Sequence, residues 1–149
     1  MSEKDKFGVR GDVQIILRDK DGNIKEEQNV RNLVVDTGYD FICDVIGNTT
    51  QPGDMHWTAI GEGIVDPAGA DITLGSELVR VTNQYAHTPG TKEFTMTASY
   101  GAGTGTGSIT ESGLINAASD GTLFNRVKFA VITKGASDTL QIVWTIQLS

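Results

Sequence analysis

Hydrophobic and polar residues alternate along much of this chain, and the alternation is clearest at the C-terminal end. Because successive side chains of a β-strand point to opposite faces, such spacing predicts a strand with one apolar face. Burying large apolar side chains contributes about 1.5–3 kcal/mol each before conformational entropy is counted. We therefore expect the last segment to be a core strand. Its apolar positions are Leu140, Ile142, Trp144, Ile146 and Leu148.

Shorter alternating runs occur upstream and are separated by residues typical of turns. The turn candidates are the segment 19–23, the pair Pro89-Gly90 and the pair Asp120-Gly121. Short strands joined in this way are typical of an antiparallel β-sandwich or barrel. The sequence therefore predicts a mainly β fold. The further strand candidates lie at residues 13–17, 56–60, 78–82, 94–100 and 127–131.

One segment has the period of a helix instead. Apolar residues recur there at intervals of four, three and four, with aspartates on the opposite side, which predicts one short amphipathic helix over residues 36–46. We expect Asp36 or Thr37 to cap its first turn and Gly47 to end it in the left-handed conformation. The apolar positions are Val35, Tyr39, Ile42 and Ile46, and the acidic ones are Asp36, Asp40 and Asp44.

The packing role expected for this helix follows from its apolar stripe. Tyr39, Ile42 and Ile46 are expected to plug one open end of the β-sandwich or barrel. Cys43 lies at the margin of the stripe and has no Lys, Arg or His beside it, so we interpret it as a small packing residue and not as a reactive thiol.

Length and charge limit the organisation of the chain and the partners it can have. Its 149 residues fit one domain, which we place at residues 7–149, after a flexible N-terminal arm over residues 1–6. A net charge of −7 argues against nucleic acid as a partner, because such affinity depends on Lys and Arg neutralising phosphates. No apolar run is long enough to suggest a membrane span or a signal peptide, and a single Cys allows no internal disulfide, so we expect synthesis in a cytoplasm.

Negative charge is concentrated in one part of the chain. Between Arg31 and Arg80 there are eight Asp or Glu residues and no Lys or Arg. This charge forms either a solvated face or a contact surface for a basic partner. The stretch 61–75 within it lacks periodicity and is predicted to be a long ordered loop, of the kind often used for binding or assembly.

Residues that could carry chemistry do not form a recognisable site. Asp19, Asp21 and Asn23 resemble the start of a calcium loop, but the required Gly and Glu are replaced by Ile24 and Val30. The strong zinc ligands, His56, His87 and Cys43, form no closely spaced pair. The glycines of 101–107 match neither phosphate-binding pattern, and no Ser has the spacing of a nucleophile elbow. We predict a protein that is not an enzyme and needs no metal or cofactor.

Several motifs together resemble a known class of proteins. In the C-terminal half these are the Gly-Thr-Gly before Ser108, the run 108–118, the run 121–126 and the last strand at 139–146. They resemble small virion structural proteins of tailed bacteriophages, and the similarity covers about residues 7–149. The upstream segments that agree are 32–35, 59–63, Leu74, Glu77, Leu78 and Arg80.

The resemblance implies a non-enzymatic role in assembly. It favours a head decoration (cement) protein that binds the major capsid protein on the outside of the expanded head and stabilises it, with self-association as a trimer. Such a protein is made in the host cytoplasm and resides in the virion. The alternatives are a tail or fibre-associated module, and a carbohydrate-binding β-sandwich in which exposed Trp57 or Tyr85 stacks on a sugar. The N-terminal arm is the expected partner contact: Met1, Ser2, Glu3, Lys4, Asp5 and Lys6.

Overall fold

A computed structural model describes residues 7–149 of the chain, so the predicted arm over residues 1–6 lies outside the described residues. The described part contains nine strands and one helix. In chain order these are β1 (Val9–Arg18), β2 (Ile24–Arg31), β3 (Leu33–Val34), α1 (Asp36–Gly47), β4 (Trp57–Gly61), β5 (Glu77–His87), β6 (Glu93–Tyr100), β7 (Gly107–Ile115), β8 (Asn125–Lys134) and β9 (Thr139–Leu148).

All nine strands form one antiparallel sheet in the order β2-β1-β9-β6-β5-β4-β7-β8-β3. The sheet curls until β2 approaches β8. There the Gln28 side chain makes hydrogen bonds to the backbone of β8 in place of backbone pairing between the two strands. Gln28 Nε2 donates to the carbonyl oxygen of Ala130 at 2.9 Å, and the Ala130 N–H donates to Gln28 Oε1 at 3.2 Å. The predicted mainly β fold is confirmed, in the form of a nearly closed barrel with one short helix.

The barrel interior is filled by the apolar faces that alternation predicts. From β9, Leu140, Ile142, Trp144 and Ile146 are at most 1% exposed, whereas Leu148 is 37% exposed at the barrel mouth. Tyr100 is also fully buried, and its hydroxyl donates to the carbonyl oxygen of Thr58. The core is therefore apolar, and the Tyr100 hydroxyl within it is paired across strands.

Strand β8 departs from the predicted alternation. Val127 and Phe129 are buried, but Val131 is 55% exposed and Ile132 is buried in its place. The cause is a register shift between β7 and β8, because Ile109 pairs with Ile132 whereas Glu111 pairs with Lys128. Alternation is interrupted at this irregularity, so the prediction that it runs from Val127 and Phe129 on to Val131 is wrong.

The helix lies where the sequence predicts it, but it turns a different face to the barrel. Tyr39 is 49% exposed and Ile46 is 78% exposed, so the prediction that they plug the barrel is wrong. A Cβ at the buried Gly38 would lie 2.1 Å from the carbonyl oxygen of Phe124, which shows how closely the helix approaches the residue that precedes β8. Ile42 packs against the core as predicted, and Phe41 packs there in place of Tyr39 and Ile46.

The ends of the helix also differ from expectation. Val35 occupies the N-cap without a side-chain cap, and the Thr37 hydroxyl donates instead to the carbonyl oxygen of Leu123 at 2.6 Å. The last helical residue is Gly47, and the C-cap is Asn48, whose backbone is extended and whose N–H donates to the carbonyl oxygen of Asp44. Gly47 is therefore not the left-handed terminator we predicted. Cys43 is exposed and is therefore not a packing residue.

A second apolar cluster lies on the outer face of the sheet. Ala59 of β4 and Ile115 of β7 point away from the barrel interior, yet both are buried, together with Val35, Leu74 and Leu123. Leu74 belongs to the connection between β4 and β5, so that connection covers the outside of the barrel. Strand β7 is consequently buried on both faces.

Candidate assembly surface

The β4–β5 connection, residues 62–76, contains no helix or strand, and one buried carboxylate organises it. Glu111 of β7 is fully buried beneath the connection. Its Oε2 accepts the backbone N–H groups of Gly63 at 2.6 Å and Ser76 at 2.8 Å, and its Oε1 accepts that of Gly75 at 2.7 Å. Both ends of the loop are thus held by the same side chain, which confirms the predicted long ordered loop.

Arg126 of β8 supplies the countercharge and extends the network to the middle of the loop. Its guanidinium, which is almost fully buried, donates to Glu111 Oε1 at 2.9 Å and to the carbonyl oxygen of Val65 at 3.0 Å. It also donates to Asp71 Oδ2 at 2.8 Å. A buried charge is strongly unfavourable unless it is paired and hydrogen-bonded, and here each charge has several partners.

Glycines allow the loop backbone to approach this carboxylate. A Cβ on Gly63 would lie 2.2 Å from Glu111 Oε2, and one on Gly61 would lie 2.4 Å from the carbonyl oxygen of Ser76. Real Cβ atoms do not come this close, so a side chain at either position must displace the carboxylate or the loop. The Gly-Glu-Gly sequence at 61–63 is therefore explained by close packing around Glu111.

The acidic residues of the loop are largely neutralised by basic residues from elsewhere in the chain. Partial burial raises the pKa of Asp71, but the Ala68 N–H and the Arg126 guanidinium outweigh it and hold the pKa below its ordinary value. A hydrogen bond from Lys128 at 2.9 Å, together with its charge, lowers the pKa of Asp66. The concentration of acids in the sequence therefore does not translate into an equally concentrated negative surface here.

Besides the exposed acids Glu62 and Asp66, the loop presents large apolar side chains to solvent. Ile64, Val65 and Ile72 are 74%, 69% and 67% exposed. Single exposed aliphatic residues are common, but large apolar side chains grouped on one ordered segment are characteristic of contact surfaces. We call these three side chains the loop patch. A buried ion-pair network fixes the backbone while leaving the loop patch free to make contacts.

The other residues singled out from the sequence are dispersed. Trp57 is half-buried, whereas Tyr85 is 61% exposed with its ring centroid 5.6 Å from that of Phe94. Gly101, Gly103 and Gly105 lie in the turn between β6 and β7, and Gly107 begins β7. His87 Nδ1 lies 2.7 Å from the carbonyl oxygen of Glu93. Within residues 7–149, no three or more His, Cys, Asp or Glu side chains are placed to hold a metal ion. The predicted contacts Met1 to Lys6 lie outside this range.

Sequence reasoning missed the Glu111–Arg126 pair. The available signal was a glutamate between Ile109 and Leu114, in a segment that is otherwise small or apolar. A charge in such a segment, with an arginine in the next strand, is the pattern expected of a buried ion pair, since charges are almost never buried alone.

Comparison of the chain with protein-family models, with curated proteins and with solved structures finds no match. Across residues 7–149, the helix content is limited to α1, and no helix reaches the length and apolar character needed to cross a membrane.

Proposed function

We propose that this chain is a non-enzymatic virion structural protein of a tailed bacteriophage, a head decoration protein that binds the outside of the expanded capsid and stabilises it. In this proposal the partner is the major capsid protein, and the chain binds as a homo-oligomer, a trimer. Copies bound at many lattice positions favour the assembled shell, because a ligand that binds one state stabilises that state.

The observation that carries the proposal is the loop patch on its rigid support. Ile64, Val65 and Ile72 project outward from an ordered loop, as the apolar side chains of a protein-contact surface do. Because the Glu111–Arg126 network already orders the backbone, a partner loses little conformational entropy in binding it. This arrangement suits repeated docking of a small protein on a larger surface, and it agrees with the resemblance of the sequence to virion proteins.

The direct experiment is to mix the purified chain with expanded capsids that lack it. We expect saturable binding at a fixed number of copies per shell and a higher melting temperature of the decorated shell. The double variant Ile64→Asp/Ile72→Asp should bind at least about tenfold more weakly, because central apolar contacts carry most of the affinity of an interface. The variant Val131→Asp is the matched control, since Val131 is a similarly exposed aliphatic residue on β8.

Absence of binding by the unmodified chain would overturn the decoration proposal. A tail or fibre-associated module is the alternative, and imaging of virions distinguishes it: density confined to the tail supports this alternative, whereas density repeated over the head supports decoration. Equal loss of binding in Val131→Asp would show that the loop patch is not the specific contact.

A further inference from the structure

The mouth of the barrel next to α1 is open. Phe41, Ile42 and Val45 of the helix cover only part of it and leave a pocket of about 580 Å³. Its floor is formed by buried core residues, among them Met96 and Ile146. Pockets of about 300–1,000 Å³ with mainly apolar walls are typical of small-molecule sites, and barrel mouths are a common location for them.

One polar group in the pocket wall has an unused bonding position. Asn83 is 3% exposed, and its Nδ2 donates to the carbonyl oxygen of Met55 and to Thr58 Oγ1, both at 3.1 Å. These partners fix the orientation of the amide, because the Met55 carbonyl can only accept. The Asn83 Oδ1 atom is buried and accepts no hydrogen bond from any of residues 7–149. A buried acceptor without a donor is costly, so a donor brought by a ligand would be favoured there.

The charges around the pocket select against anions. Among residues 7–149, which the structure describes, the pocket lining includes one carboxylate, that of Asp54, the imidazole of His56, and no Lys or Arg. A negatively charged ligand would lose hydration without gaining a Lys or Arg countercharge, and Asp54 would repel it. A ligand that donates a hydrogen bond would instead find an acceptor at Asn83 Oδ1.

We propose that the barrel mouth is a binding site for a small apolar molecule that carries an N–H or O–H donor and no anionic group. The proposal is independent of the role in virion assembly, since it concerns the open end of the barrel and not the loop patch. Its three requirements are an apolar body that fits the pocket, one donor for Asn83 Oδ1 and the absence of negative charge.

Three fluorescent probes that share one ring system test these requirements separately. N-phenyl-1-naphthylamine is neutral and has one N–H donor, its N-methyl derivative lacks the donor, and 1-anilinonaphthalene-5-sulfonate adds an anion while keeping the N–H free. We expect saturable binding of the first probe at one site. The N-methyl probe should bind about three- to tenfold more weakly, as expected for one lost hydrogen bond. The sulfonate should bind at least about tenfold more weakly.

A matched pair of variants locates the binding. Val45→Trp places a large ring at the pocket mouth on the helix surface and should reduce the affinity for N-phenyl-1-naphthylamine at least about tenfold. Val131→Trp adds the same ring at an exposed position of β8 and should leave the affinity unchanged. No saturable binding, equal binding of the sulfonate, or equal affinity in both variants would overturn the proposal, and none of these outcomes bears on capsid binding.

Discussion

The two sides of the sheet are buried in different ways. The inner side is closed by interlocking apolar side chains, as in β9, where four alternate residues are almost inaccessible. The outer side of β4 and β7 is covered by an irregular loop whose backbone polar groups cannot pair in a ladder, and Glu111 and Arg126 meet that need. Apolar packing tolerates local adjustment, whereas a buried charge must keep all its partners. We therefore expect substitutions on the inner side to destabilise the whole protein, and substitutions on the outer side to destabilise mainly the loop.

The largest effect is expected from the inner side. Trp144→Ala removes the largest fully buried side chain of the barrel and should lower the free energy of unfolding by about 3–5 kcal/mol. Leu148→Ala on the same strand is the control, and because Leu148 is 37% exposed it should cost about 1 kcal/mol or less. Chemical denaturation measures both. Similar losses in the two variants would contradict the view that burial of the barrel interior dominates stability.

Replacement of the buried carboxylate should have the next largest effect. In Glu111→Gln one amide oxygen replaces two carboxylate oxygens that accept four N–H donors, and Arg126 keeps only the charge of Asp71. We expect a loss of about 3 kcal/mol, accompanied by faster hydrogen exchange and proteolysis within residues 62–76.

The location of the damage is the informative part of this experiment. If the loop opens without the barrel, hydrogen exchange in β9 should accelerate less than hydrogen exchange in the loop. Uniform acceleration over the whole chain would show that the two sides unfold as one unit. Glu27→Gln, an exposed carboxylate on β2, serves as the control and should leave exchange in the loop unchanged.

The same contrast explains which features the sequence reveals. Alternation predicts β9 and the barrel interior because only one face of those strands is apolar. It misses β7 as a core strand, since loop 62–76 buries its second face and the polar Thr110, Glu111 and Ser112 interrupt the pattern. The helix is found by its period, but the close approach of Gly38 to Phe124, a long-range contact, determines which face packs inward.

Glycine substitutions test the tight packing around Glu111 with a smaller change. Gly63→Ala should destabilise the protein by about 2 kcal/mol, because the new Cβ would lie 2.2 Å from Glu111 Oε2 and the carboxylate must move. Gly47→Ala is the control, since no atom lies within 4 Å of the added Cβ and the position is helical. It should be neutral or stabilising by up to about 1 kcal/mol. Thermal unfolding of both variants measures the difference, and an equal effect of the two would contradict the packing argument.

The smallest effect is expected from acid, and it should again fall on the outer side. The pKa of Asp71 is lowered in the folded state, so its contribution to stability is present above the ordinary aspartate pKa, about 4, and is lost as the pH falls through the lower folded value. Because Asp71 is 25% exposed, we expect this contribution to be at most about 1 kcal/mol. Asp71→Asn should therefore destabilise the protein slightly at pH 7 and flatten the fall in stability below about pH 4. Asp40→Asn, an exposed helix carboxylate outside the ion pairs of residues 7–149, should leave that profile unchanged. If Asp71→Asn showed the same dependence of stability on pH as the unmodified protein, the pairing of Asp71 with Arg126 would not stabilise the loop. The stabilisation of the loop would then come from Glu111 alone.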